Sequence, residues 1–358
     1  MGLFRANPAR KQAAEMARLR KALAKSGDPD SPQSLQLRHR LGLLLVETAD
    51  WPAAEEHYTE LADAQLRVAG DRDPGTLGAW ANLAVAQAAQ GRVDDGVHLL
   101  ESTVEVYEDA IGADDPATLQ VQVMLAEMLS LAGDYDGALD VLDRHRAACE
   151  HRFGPGHEQT VAAGHRMVAV LRTLGRFKQA EELHDELSAD LHSAEERDAA
   201  RAVSLLIKAE SGRANGVRTA ARLLVERRPT ADSVEALASV LRHAGEPAEA
   251  AELYRQLVAA HGPGSPRTWG LAAELARAYL ESGQLDEAEQ LTGELLESRG
   301  LPDLHPITLG VRATSARVAR ERGRNADREL AAVVAGFEEV FGPEHPDTVE
   351  AAGWLKKD

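Results

Sequence analysis

The alternation of apolar and polar positions hardly changes along this chain. Leu, Ala and Val recur three and four residues apart in short runs, and each run is interrupted by a small residue or Gly, a polar residue and a fresh apolar stretch. That spacing predicts amphipathic helices joined by tight turns and leaves little material for strands. The interruptions are Ala49-Asp50-Trp51, Gly91-Arg92-Val93, Gly133-Asp134-Tyr135, Gly175-Arg176-Phe177, Gly212-Arg213, Gly245-Glu246, Gly283-Gln284-Leu285 and Gly323-Arg324. Successive first residues lie 42, 42, 42, 37, 33, 38 and 40 positions apart. A period of this size marks a repeat in which each unit packs mainly on its neighbours.

A second marker keeps the same period. Gly342-Pro343-Glu344-His345-Pro346-Asp347-Thr348 reads as a helix start, with His345 at the N-cap and Pro346 at the first helical position, where its missing N–H costs nothing. The Thr348 hydroxyl is expected to reach back to an unpaired backbone N–H. The frame recurs at Ser31-Pro32-Gln33-Ser34, Asp73-Pro74-Gly75-Thr76, Asp115-Pro116-Ala117-Thr118, His157-Glu158-Gln159-Thr160, Ser265-Pro266-Arg267-Thr268 and His305-Pro306-Ile307-Thr308. Together the markers predict an all-α solenoid of about eight antiparallel helical hairpins with a terminal helix at each end.

Counting from each turn residue, the position seven before reads Gly42, Ala84, Ala126, Val168, Leu205, Ala238, Ala276 and Ala316. The position five after reads Ala54, Gly96, Ala138, Ala180, Val217, Ala250, Ala288 and Arg328. Small residues at both places let two helices cross closely. On these positions, on Ala81-Asn82-Leu83-Ala84 before Gly91-Arg92-Val93-Asp94-Asp95, and on Gly283-Gln284-Leu285-Asp286-Glu287-Ala288-Glu289, residues 31–357 resemble tetratricopeptide-repeat proteins of the longer, kinesin light chain-like kind seen in bacterial regulators. The resemblance implies a right-handed superhelix whose first helices line a concave groove.

The expected organisation is a basic N-terminal helix over 1–27, acting as cap or arm, hairpins 1–4 over 28–192, an irregular hairpin 5 over 193–228, hairpins 6–8 over 229–346 and a C-terminal capping helix over 347–358. Hairpin 5 lacks the Pro-x-Thr start and carries Leu205 and Val217 where small residues stand elsewhere, which fits either plain decay of the repeat or a kink or hinge dividing hairpins 1–4 from hairpins 6–8. In the N-terminal helix Met16, Leu19 and Leu23 share one face.

Composition narrows the function. The 358 residues carry a net charge of −18, although residues 1–27 set seven basic side chains against Glu15 alone. An acidic body makes a poor general nucleic-acid binder, because phosphate contacts supply most non-specific affinity. No apolar run approaches a membrane span and no leader is recognisable, while the single cysteine, Cys149, excludes an internal disulfide framework; a cytoplasmic protein is expected. Arginine outnumbers lysine 33 to 7, which with the abundant alanine suggests a GC-rich bacterial source.

No catalytic pattern holds. There is no Gly-Lys-Ser/Thr loop and no Gly-x-Ser-x-Gly, and His157-Glu158-Gln159-Thr160-Val161 lacks a second histidine. His145, Cys149 and His151 lie at i, i+4 and i+6, which splays the third side chain from the first two, so no metal and no cofactor are expected. The chemistry is instead expected in the groove that the resemblance implies. Its first three hairpins would contribute Ala81, Asn82, Val85, Ala88, Val123 and Met124, and the later ones Arg166, Arg172, Arg242, Glu274, Arg277, Arg317 and Arg320. Guanidinium forks suit carboxylate or phosphate. The competing account pairs these arginines with Asp232, Glu235, Glu274, Glu281 and Glu321 in the same strip.

The expected function is a non-enzymatic protein- or peptide-binding scaffold, in bacterial regulation or complex assembly, whose partner bears acidic groups. A ligand- or signalling-peptide-responsive regulator and an accessory protein of a biosynthetic pathway are the alternatives. Trp354 on the last helix is expected to seal the solenoid end or to form a homodimer contact.

Overall fold

The computed structural model describes residues 8–48, 50–189, 191, 193–261, 266–298 and 301–355. Ala49, assigned above to a turn, and Ser265, assigned to a helix start, lie outside the described residues. The chain divides into two compact units, one comprising residues up to 132 together with Ala147–Gly154, the other Gly133–Arg146 together with residues from Pro155 onward. No strand occurs among the described residues.

The first unit runs through α1 (Pro8–Lys25), α2 (Pro32–Glu47), α3 (Trp51–Ala69), α4 (Pro74–Ala88), α5 (Val93–Ile111) and α6 (Pro116–Ala132). Helix α7 (Tyr135–Phe153) is divided between the units. The second unit continues with α8 (Glu158–Thr173), α9 (Phe177–Leu187), α10 (Ala194–Lys208), α11 (Ala214–Arg227), α12 (Ala231–His243) and α13 (Pro247–His261). It ends with α14 (Pro266–Glu281), α15 (Leu285–Ser298), α16 (Pro306–Glu321), α17 (Asp327–Phe341) and α18 (Pro346–Leu355). Within each unit, helices adjacent in sequence pack as antiparallel pairs, and first helices of neighbouring hairpins also touch, as α4 does α6 and α14 does α16.

Start signals behave as caps. Asp73 Oδ1 accepts from Gly75 N at 2.9 Å, Asp115 Oδ1 from Ala117 N at 2.9 Å, and the Nδ1 atoms of His305 and His345 from Ile307 N at 3.1 Å and Asp347 N at 3.2 Å. The hydroxyl two or three positions further on differs from expectation. Thr348 Oγ1 donates to Gly342 O at 2.9 Å, Thr76 Oγ1 to Gly70 O at 2.8 Å and Ser34 Oγ to Asp28 O at 2.6 Å. The cap side chain already satisfies the N–H, so the hydroxyl spends its proton on a loop carbonyl six residues back and ties the incoming loop to the new helix.

The turn glycines Gly91, Gly133, Gly175, Gly212, Gly245, Gly283 and Gly323 all have positive φ, between 65° and 90°. A second glycine series, Gly70, Gly112, Gly154 and Gly342, ends the second helices with φ of 83–99°. It marks the joints between hairpins and carries the same left-handed requirement.

Close crossings follow the small-residue pattern. Ala54, Ala84, Ala138, Ala180, Ala238, Ala250, Ala276 and Ala288 are fully buried. A Cβ on Gly42 would lie 2.7 Å from the Tyr58 ring, and one on Gly96 would lie 2.8 Å from Ala84 O. Two positions depart from the pattern. Helix α17 begins four residues after Gly323 rather than two, so Arg328 is exposed and Leu330 takes the buried place. In hairpin 5, α10 and α11 meet at a kink within Ala209–Arg213, where Gly212 has φ 82°, and Ala214 and Ala221 are buried while Val217 is half-buried. Ser193 and Glu196 form a capping box there in place of the Pro-x-Thr start.

At the N-terminus Leu19 is buried against Leu41, Leu45, Tyr58 and Leu61, with Met16 and Leu23 at the edge of the same cluster. Fully burying a side chain such as Leu19 contributes roughly 1.5–3 kcal/mol. At the C-terminus Trp354 packs on the cluster of Ala316, Ala326 and Leu330.

Candidate functional site

In the second unit the first helices of successive hairpins, α8, α10, α12, α14, α16 and α18, face a common concavity of about 990 Å³. Its wall alternates apolar steps, including Phe177, Leu206, Leu271, Ile307 and Phe341, with charged side chains. Four arginines, Arg172, Arg242, Arg267 and Arg277, face six carboxylates, Glu210, Glu235, Glu274, Glu281, Asp347 and Glu350. The described wall is therefore charged but not basic.

Most of these charges are paired across adjacent hairpins. Arg172 grips Glu210 in two-point fashion, with Nε to Oε2 at 2.9 Å. Arg242, only 7% exposed in its side chain, lies 3.0 Å from Glu274 through Nε and 2.8 Å from Glu281 through Nη1. Arg267 reaches Asp232 at 2.8 Å and Glu235 at 3.2 Å. Burial works against the Arg242 cation, but Glu274 and Glu281 more than offset it and hold its pKa above the ordinary value. Burial likewise favours protonation of Glu274, and Arg242 then Arg277 reverse this and lower its pKa; for Glu281 burial wins and the pKa is raised. His243 donates from Nδ1 to Ser239 O at 2.8 Å and accepts from Arg242 Nη2 at 3.1 Å, so it is neutral, and burial followed by the Arg242 charge lowers its pKa. Removing one partner of such a buried network costs about 3–5 kcal/mol, because the other charge is left uncompensated.

Arg277 is different. It is 16% exposed, and its ion pair is a long one, 3.7 Å from Nη1 to Asp347 Oδ1. Burial would lower its pKa, while Glu274 and then Asp347 raise it above the ordinary value.

The remaining expected residues fall elsewhere. Arg166 is exposed on α8 and does not line the concavity. Arg317 lies over the Trp354 ring at 5.3 Å and pairs with Glu321 at 2.9 Å, and Arg320 donates to Trp354 O. These two hold the C-terminal helix in place. In the first unit Asn82 is half-buried and donates to Gly78 O of its own helix at 2.7 Å. Val85 and Met124 are half-buried, whereas Ala81 and Ala88 are buried in the hairpin packing. His151 pairs with Asp114 at 3.2 Å, and no cluster of metal-ligating side chains occurs among the described residues.

What sequence reasoning missed is the closure of the concavity. His345 donates from Nε2 to Thr173 O at 2.9 Å across 172 residues and stacks on Phe341 at 4.1 Å, while Phe341 meets Tyr135 at 5.7 Å. Gly175 makes room for this contact: a Cβ there would lie 3.0 Å from Pro346 Cδ and 3.2 Å from His345. In the sequence His345 is visible only as a helix cap. Nothing local signals its second partner.

Models described as "Tetratricopeptide repeat" match residues 75–151, 241–305, and 39–105 with 210–266. Taken together they cover more than half of the sequence, and the chain belongs to the tetratricopeptide-repeat family, of kinesin light chain-like type. It is 33% identical over 99 residues to Protein KINESIN LIGHT CHAIN-RELATED 3 of Arabidopsis thaliana; the match takes in 28% of this chain and 15% of that relative's length. Among solved structures it resembles a tetratricopeptide repeat protein from Parabacteroides merdae, at TM-score 0.54 and 15% identity over 80% of this chain and 99% of the other. It also resembles the apo form of the quorum sensor NprR from B. thuringiensis, at TM-score 0.54 and 13% identity over 92% of this chain and 100% of the other. At these identities the likeness concerns the fold, an all-α helical-repeat solenoid. The family is generally a non-enzymatic protein-interaction scaffold. No described helix is long and apolar enough to cross a membrane.

Proposed function

We propose that this protein is a non-enzymatic scaffold that binds an extended or helical segment of another protein along the row of its first helices, in bacterial regulation or complex assembly. The observation that carries the reading is the convergence of six first helices on one concavity whose wall alternates apolar steps with charged pairs. Apolar steps supply affinity by leaving water, and charges fixed by neighbouring hairpins supply register and partner choice. An acidic partner group would be read by Arg277, whose ion pair is long, since Arg172 and Arg242 lie in short ion pairs with Glu210, Glu274 and Glu281. Residues 1–27 act in this reading as a cap, because Leu19 is committed to the first core. Trp354, engaged by Arg317 and the Leu330 cluster, acts as a seal.

Selection of peptides from a displayed random library, followed by binding assays on Phe177→Lys and Ile307→Lys variants, tests the proposal. Selected peptides that lose at least tenfold in affinity on either variant support it. Failure to select any peptide, or binding indifferent to both substitutions, removes it.

A further inference from the structure

Helix-interior glycines in this chain fall into two kinds. At Gly42, Gly96, Gly164 and Gly336 an added Cβ would come within 2.7–2.8 Å of a neighbour, so close packing demands the missing side chain. At Gly78, Gly216, Gly293 and Gly353 it would not, nor at the two glycines of the concavity wall, Gly270 and Gly310, where the nearest atoms would be Ile307 Cδ1 at 3.7 Å and Arg277 Nη2 at 3.6 Å, which is ordinary contact. Each such glycine costs the helix about 1 kcal/mol relative to alanine, and packing returns nothing for it. What the two absent side chains do leave is open space, in the wall of the concavity and beside Arg277.

The guanidinium facing that space is under-used. Among the described residues Arg277 makes no hydrogen bond, its ion pair to Asp347 is 3.7 Å long, and its side chain is 16% exposed. The other arginines of the wall are held by carboxylates at 2.8–3.0 Å. A mostly buried cation kept charged by Glu274 and Asp347 without a short contact to either is a subsite for an anion that can accept two of its N–H groups. Asp347 stands in part-way for that anion, on the first turn of the helix that closes the concavity. Among its charged side chains the same wall carries Leu271, Ile307 and Phe341, and a volume of about 990 Å³ lies at the upper end of small-ligand cavities.

We infer that this cavity is a binding site for a small amphipathic carboxylic acid, its carboxylate on Arg277 in place of Asp347 and its apolar body against Leu271, Ile307 and Phe341. The inference names a small-molecule occupant for the same concavity and does not depend on the scaffold reading. A ligand seated there exchanges the long Arg277–Asp347 contact for a short two-point one, and so bears on the helix that closes the cavity.

Isothermal titration calorimetry on the full chain tests the inference with 4-phenylbutyrate and octanoate as probes and their primary amides as neutral controls. Saturable binding of a carboxylate is expected, with the amide at least about tenfold weaker, a difference of about 1.4 kcal/mol. Gly310→Leu, which fills the space beside Arg277, is expected to abolish binding; Arg277→Gln is expected to weaken it at least tenfold, and Asp347→Asn to tighten it several-fold. Arg255→Gln, on the exposed face of α13 and away from the cavity, should leave it unchanged. Circular dichroism and thermal melting check that each variant is folded. Should Arg277→Gln fail to fold, the acid–amide comparison on the unaltered protein and the Gly310→Leu variant decide alone. Absence of saturable binding by either acid up to about 1 mM, equal binding of acid and amide, or undiminished binding by Gly310→Leu overturns the inference. An outcome in which library peptides bind and small acids do not overturns this inference and leaves the scaffold standing; the converse removes the scaffold and leaves this site.

Discussion

A glycine inside a helix can mean opposite things, and its surroundings decide which. Gly42 faces the Tyr58 ring and Gly96 faces the Ala84 carbonyl, so Gly42→Ala and Gly96→Ala should each lose about 1–3 kcal/mol through overpacking. Gly270→Ala and Gly310→Ala meet only ordinary contacts and should gain about 0.5–1 kcal/mol from helix propensity. Urea unfolding of the four variants measures this difference of sign, and equal destabilisation by all four would show that Gly270 and Gly310 are packing residues after all. The small-residue rows at Gly42 and Gly96 were readable from the sequence because they recur in register. Gly270 and Gly310 carry no such signal, since vacant space beside a side chain is a property of three helices and not of one.

Among the elements, α18 does the most that its own sequence does not announce. Pro346 and His345 specify where it starts, and the cap geometry follows. Its seat is specified by Gly175 and Thr173, far back in the chain. Gly175→Ala would combine a left-handed backbone at φ 65° with a Cβ pressed against Pro346 and His345, whereas Gly245→Ala would meet only the backbone cost, having φ 84° and nothing within 4 Å. The backbone alone should cost each about 1–2 kcal/mol, and Gly175→Ala should lose more. Only Gly175→Ala should also speed hydrogen exchange at Asp347 and Val349 in the first turn of α18, and equal exchange in both variants would mean that the His345 contact does not hold the helix.

At the scale of the whole molecule, buried histidines set the response to acid. Burial lowers the pKa of His145 and His305 to about 4, the charge of Arg166 adding to the effect at His145. It also lowers that of His57, His184, His243 and His345, against the opposing pull of Asp347 and the Thr173 carbonyl in the last case. A histidine with a depressed folded pKa is neutral in the native state, and the unfolded chain takes up its proton first. Stability is therefore whole above about 6.5, the unfolded value, and declines as pH falls from there towards about 4. Thermal melts between pH 7.5 and 4 should show a steady fall in Tm across that window, and a Tm that stayed level down to pH 4.5 would contradict neutral burial. The same contrast separates what could be read early from what could not. Turns, the hairpin period and, outside hairpin 5 and the start of α17, helix starts and close crossings were legible in the sequence alone, because each depends on residues within one or two turns of each other and recurs in register. The pairing of Arg242 with Glu274 and Glu281, the under-used donors of Arg277 and the closure by His345 were decided only by tertiary structure. They join residues from different hairpins, and in a repeat protein the distance between such residues is fixed by small rotations accumulated from one hairpin to the next, which no local pattern records.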